Sequence, residues 1–118
     1  MSDTIDQLNE RLRRFARDRD WEKFHSPKNL SMALIAEAAE LVEHFQWLSQ
    51  KDSESLPQEK LEEVRMELAD IQIYLMRIAE RLGVDLLAAA EEKMAINEER
   101  YPVDKVKGSA RRASEYED

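Results

Sequence analysis

The chain has 118 residues, 42% hydrophobic and 37% charged, with a net charge of −8, two glycines and no cysteine. That length supports one modest core, and the acidic balance argues against a general nucleic-acid binder, which needs a basic surface to neutralise phosphates. Without cysteine there is neither a disulfide framework nor a thiolate metal site, which suits a reducing cytoplasm, the location expected here. The first thirty residues are too charged for a secretory signal, and no apolar run approaches the roughly 18 residues of a membrane span. A glycine-poor, charge-rich chain reads as long helices with wet outer faces, so the expected fold is all-α and four-helix-bundle-like.

In chain order, Asp3 or Thr4 caps a first helix running to about Asp18, with Ile5, Leu8, Leu12 and Phe15 as its buried stripe. A less regular stretch, 20–29, follows. Within it Ser26 before Pro27 reads as a cap followed by proline at the first helical position. The second helix is expected to reach about Leu48, with Leu30, Leu34, Ala38, Leu41, Phe45 and Leu48 as its core line. A polar stretch from Ser49 to Ser55 interrupts it. Pro57 then begins a third helix that continues through Leu82 to a stop at Gly83. Leu61, Val64, Leu68, Ile71, Leu75, Ile78 and Leu82 alternate three- and four-residue steps along it, the pattern of a helix packed lengthwise. Asp85 caps a fourth helix, expected to turn Leu86, Ala89, Ala90 and Met94 inward and to end before Pro102. Residues 1–102 thus form one helical domain. The tail, 103–118, lacks a core pattern; its Lys105, Lys107, Gly108, Arg111 and Arg112 fit either a solubilising end or an arm that closes over a ligand.

Two polar edges carry the chemistry. Glu37, Glu40, His44 and Trp47 step by three, four and three beside the apolar stripe of the second helix. Glu67, Asp70 and Tyr74 step by three and four on the third, each just before a core position. If these helices pack antiparallel, four carboxylates converge at the margin of the core. Converging carboxylates repel and resist desolvation unless a cation joins them, and all-oxygen ligation suits magnesium, with manganese as the alternative. The same spacing also fits ordinary solvated charges. A di-iron carboxylate bundle needs Glu-x-x-His pairs, which are absent; His25 lies outside a regular helix, and His44 reads as a packing or surface histidine by position alone. No glycine-rich phosphate loop occurs.

With the E-x-x-E and E-x-x-D pairs at Glu37-Ala-Ala-Glu40 and Glu67-Leu-Ala-Asp70, the chain resembles the MazG-like all-α nucleoside triphosphate pyrophosphohydrolases, particularly their dCTP pyrophosphatase branch. The likeness extends over Arg19-Asp-Trp-Glu-Lys-Phe-His25, Pro27-Lys-Asn-Leu30, Glu43-His-Phe-Gln-Trp47, Lys93-Met-Ala-Ile-Asn97, Arg100-Tyr-Pro102 and Lys107-Gly-Ser109. The resemblance implies hydrolysis of a deoxynucleoside triphosphate to monophosphate and pyrophosphate, with magnesium on Glu37, Glu40, Glu67 and Asp70. It also implies a base pocket of Trp21, His25 and Trp47, joined by Asn29, and phosphate or sugar contacts from Tyr74, Lys93 and Asn97. It further implies a homo-oligomer, a dimer or dimer of dimers. The competing reading is a non-catalytic helical nucleotide sensor or assembly protein; a DNA-binding dimer is disfavoured by charge.

Overall fold

A computed structural model describes residues 4–110 and 113–116, so Asp3, Arg111 and Arg112 lie outside the described residues. The helices are α1 (Ile5–Asp18), α2 (Pro27–Glu43), α3 (Gln50–Ser53), α4 (Gln58–Leu82), α5 (Leu86–Arg100) and α6 (Val103–Val106). Short 3₁₀ turns occupy Glu22–Phe24 and Ala113–Tyr116, and there is no strand among the described residues. None of these helices is long and apolar enough to cross a membrane.

Local chemistry sets most of the boundaries. Thr4 and Gln7 form a reciprocal capping box: the Gln7 N–H donates to Thr4 Oγ1 at 3.1 Å, and the Thr4 N–H donates to Gln7 Oε1 at 2.8 Å. Ser26 caps α2 ahead of Pro27, and Asp85 caps α5, its carboxylate accepting from the Ala88 N–H at 3.1 Å. Gly83 takes a left-handed φ of 67°, letting the Val84 N–H reach the Ala79 carbonyl and close α4.

Two boundaries differ from the sequence expectation. α2 ends at Glu43, five residues before Leu48, because the chain tightens there: the His44 N–H donates to the Leu41 carbonyl and the Phe45 N–H to that of Val42. The run His44-Phe45-Gln46-Trp47 is rich in side chains that lose rotamer freedom in a helix, so its intrinsic pull toward continuation is weak. The polar connection is not featureless either, since Ser49 caps the single turn of α3.

The chain divides into two compact units, Met1–Val84 and Asp85–Asp118. In the first, α2 and α4 pack antiparallel. His44 just past the end of α2 sits 3.3 Å from Lys60 Nζ near the start of α4, while Glu37, farther back on α2, meets Glu67 and Asp70 farther along α4. α1 is tied to the later part of α4 by an ion pair of 2.6 Å between Arg13 and Glu80. Ala16, Leu30, Val64, Met76 and Ala79 are buried, Leu30 down to 2% exposure. Removing a side chain of that size from water contributes about 2–3 kcal/mol.

The seven-residue stripe expected on α4 splits. Val64 is buried and Ile71 and Ile78 are half-buried, whereas Leu61, Leu68, Leu75 and Leu82 are exposed, at 39% to 59%. The exposed four recur every seven residues and lie on the flank of the face turned to α2, so a single helical neighbour cannot cover both lines. In the second unit, Leu86, Ala89, Ala90 and Met94 are all exposed, against the expectation that they face inward, and α5 buries no residue completely. α6 continues the regular structure past Pro102 for one turn.

Candidate metal centre and its surroundings

The acids of α2 and α4 meet because the antiparallel register places Glu37 across from Glu67 and Asp70. One carboxylate oxygen from each of Glu37, Glu67 and Asp70 lies within 4.8 Å of the others, a group that could hold a metal ion. Glu40, one turn along α2, lies beside Glu37: its carboxyl contacts that of Glu37 and its charge acts on it. All four acids singled out from the sequence are therefore neighbours, with three of them in the tightest group.

The electrostatics of the cluster are unfavourable without a cation. Glu37 Oε2 and Glu67 Oε2 are shielded from solvent and have no hydrogen-bond partner among the described residues. Burial, then the carboxyls of Glu67 and Glu40 and the charge of Asp70, pushes the pKa of Glu37 up to about 7 from the ordinary 4.5. Oxygens left without donors, close enough to share a ligand, are what a hard divalent cation requires, so this donor set fits magnesium.

Farther along α4 the same edge changes character. Glu67, Asp70, Tyr74, Arg77 and Arg81 follow one another at steps of three and four, forming a single line in which acids give way to an aromatic and then to cations. Opposite the cationic end stands the α1–α2 junction. There α1 closes in a Schellman motif: the Trp21 N–H donates to the Ala16 carbonyl and the Asp20 N–H to that of Arg17, with Asp20 in the left-handed region at φ 55°. This turn places Trp21 against Phe15, ring centroids 5.7 Å apart and edge-on, and 6.5 Å from the His25 ring. Lys23 holds the Asp20 carboxylate at 2.8 Å, and the Asn29 side-chain amide donates to the Phe24 carbonyl, bracing the following turn.

His25 Nδ1 is shielded and unpaired among the described residues. Burial, followed by the charges of Arg77 and Arg81 and opposed by Glu22, holds its pKa below the usual imidazole value. Arg77 is 4% exposed, and its Nε too has no hydrogen-bond partner among the described residues. Sequence reasoning passed over Arg77 because it read α4 as an apolar stripe with an acidic edge. The available signal was the continued three-four spacing of polar residues after Tyr74.

The other sequence candidates fall as follows. Tyr74 is half-buried on the acid-bearing line, one turn beyond Asp70. Trp21 is partly exposed, consistent with a ring face open to a ligand. Trp47 lies beyond the end of α2 and is 87% exposed. Lys93 is exposed and Asn97 half-buried on α5, in the second unit. His44 belongs to a polar contact with Lys60 and Glu63, at 3.3 and 3.7 Å, and stands apart from the acids that gather at Glu37.

Fold and site together define an all-α protein with a carboxylate cluster able to hold a metal ion between two antiparallel helices. The model of the MazG-like family matches residues 33–116, and the chain belongs to that family. It is 41% identical over 109 residues to dCTP pyrophosphatase 1 of Mus musculus, covering 91% of this chain and 64% of the relative. It is 40% identical over 116 residues to dCTP pyrophosphatase 1 of Homo sapiens, covering 95% of this chain and 67% of that one. The chain thus spans about two thirds of the length of these relatives. Among solved structures, a pyrophosphatase from Archaeoglobus fulgidus is 38% identical and superposes with a TM-score of 0.75, covering 86% of this chain and 95% of the other.

Proposed function

We propose that the protein hydrolyses a deoxynucleoside triphosphate, dCTP or a modified dCTP, to the nucleoside monophosphate and pyrophosphate, as a housecleaning enzyme of the cytoplasmic nucleotide pool. The observation that carries the proposal is the convergence of Glu37, Glu67 and Asp70 within 4.8 Å, with carboxylate oxygens that find no donor among the described residues. The names of the relatives, dCTP pyrophosphatase 1, support the choice of substrate.

Glu37, Glu40, Glu67 and Asp70 would hold magnesium, or manganese in its place. When bound, the cation supplies neutralisation of the triphosphate charge and lowers the pKa of a coordinated water. Around it the chain's own groups orient the substrate. Trp21 offers a ring face for the base, with His25 and Asn29 at the same turn; Trp47, past the opposite end of α2, would reach that base only from another copy of the chain. Tyr74 lies between the acids and the base end, where a sugar would sit, and the family resemblance gives Lys93 and Asn97, within the second unit, the role of phosphate contacts. Glu40, in contact with Glu37, or Glu43 near the end of α2 orients the attacking water, and no covalent nucleophile is required.

The exposed leucines of α4 and the open apolar surface of α5 support assembly into a homo-oligomer, a dimer or a dimer of dimers, in which these faces are covered. The deciding experiment is magnesium-dependent pyrophosphate release from a panel of ordinary and modified nucleoside triphosphates. Release strongest with deoxycytidine nucleotides is the expected result. Failure of every nucleotide to turn over, together with thermal stabilisation by nucleotide and metal, would replace the enzyme with a sensor.

A further inference from the structure

Arg77, at 4% exposure, is as buried as the five apolar core side chains, and no hydrogen-bond partner of its Nε among the described residues accounts for that burial. Arginine carries five N–H donors and stays protonated, so folding alone would be expected to give it acceptors. Its Nε has no hydrogen-bond partner among the described residues, and no ion pair joins it directly to a carboxylate there. A buried donor left unmade is costly, on the order of 1–3 kcal/mol and more for charged groups. The nearby carboxylates do not relieve it: Glu80 is engaged by Arg13 at 2.6 Å, while Glu22 and Glu80 act on Arg77 only through longer-range charge. Arg81 and Arg13 offset those two acids, so the donors of Arg77 are left without an acceptor from the surrounding charges.

The position of that acceptor follows from register. Arg77 stands two turns beyond Asp70 on the same edge of α4, about 10 Å along the axis at 1.5 Å per residue. Carrying the antiparallel pairing of α2 and α4 onward from the acids puts the Ser26–Leu30 start of α2 opposite Arg77. His25 immediately precedes that segment, its shielded Nδ1 also unpaired, and Trp21 packs edge-on against it. A nucleotide with its phosphates at the acids would extend along this edge past Tyr74 and bring its base to Trp21, His25 and Arg77.

The geometry points to Arg77 as a specificity-determining residue that donates to a carbonyl oxygen of a pyrimidine base, the C2 carbonyl in cytosine. This assignment rests on the nucleotide hydrolysis proposed above and adds to it the group that reads the base edge. The fork supplies donors that cytosine's ring carbonyl can accept, and the His25 ring stands beside it with an Nδ1 that no group among the described residues engages.

The test compares dCTP with its 2-thio analogue, in which sulfur replaces that oxygen as a weaker acceptor, using pyrophosphate release by the full chain and by Arg77→Met. Wild type is expected to prefer dCTP by about 10- to 100-fold in kcat/KM, carried mainly by KM, the worth of a hydrogen bond to a charged donor. Arg77→Met should lose about that factor on dCTP and discriminate between the two by less than about 3-fold. Arg77→Lys, which keeps the charge and stem but not the fork, provides a second variant if the methionine protein does not fold, and should fall between the two. Equal use of both nucleotides by wild type, or discrimination as large as wild type's in Arg77→Met or Arg77→Lys, overturns the assignment of Arg77 and leaves the hydrolase reading standing. If wild type releases no pyrophosphate from any nucleotide, both fall.

Discussion

Glu37→Gln is expected to stabilise the metal-free protein while impairing its metal site. In the folded chain the Glu37 carboxyl titrates at about 7, against an ordinary 4.5. Between those values the native state holds a proton that the unfolded chain has released, so stability falls as pH rises through this window and stays lowered above it. At about 1.4 kcal/mol per pH unit the ceiling is about 3 kcal/mol. Glu37 is only partly buried, and solvent screening brings the expected gain from the neutral glutamine to about 1 kcal/mol. For a chain of this size that corresponds to a rise in midpoint of about 3–6 °C. Calorimetry in EDTA at pH 8 should show this rise, and at pH 5, where the native glutamate is already protonated, the rise should nearly vanish. Saturating magnesium should reverse the order at pH 8, because wild type gains a bound cation that the variant holds more weakly. A stabilisation of the same size at pH 5 and pH 8 would refute the like-charge argument.

Three further perturbations test other parts of the molecule. Glu40→Gln and Asp70→Asn should each lower kcat by at least about 100-fold while far-ultraviolet circular dichroism stays unchanged; full activity in both would remove these acids from the site. Asp20→Gly should retain or slightly raise the thermal midpoint and Asp20→Val should lower stability by about 1–2 kcal/mol, since only the latter strains a left-handed φ of 55°; equal behaviour of the pair in chemical denaturation would contradict the Schellman account of Trp21. Leu75→Glu, on the exposed heptad line of α4, should shift the species seen by light scattering at micromolar concentration toward monomer. An unchanged mass would exclude that line as the interface.

Much of the helical layout was legible because its signals are local. Thr4, Ser26, Asp85 and Gly83 act on backbone groups within a turn of themselves, and each marks a boundary that the structure shows. The two acid pairs were visible for the same reason: a spacing of three puts side chains on one edge of any helix. The premature end of α2 was harder to read, since apolar periodicity continued through Phe45 and Leu48 while weak propensity and the tightened turn at His44 ended the helix.

What the sequence by itself determined is the four main helices, their polar edges and the residue types able to bind a cation. Tertiary structure decided which edges meet. The antiparallel register of α2 and α4 brought Glu37 to Glu67 and Asp70, turned four of the seven expected core positions of α4 outward, and enclosed Arg77 beside the turn that carries Trp21 and His25. The physical reason is that periodicity fixes a side chain's direction relative to its own helix axis, whereas burial and pKa depend on what another part of the chain places in front of it.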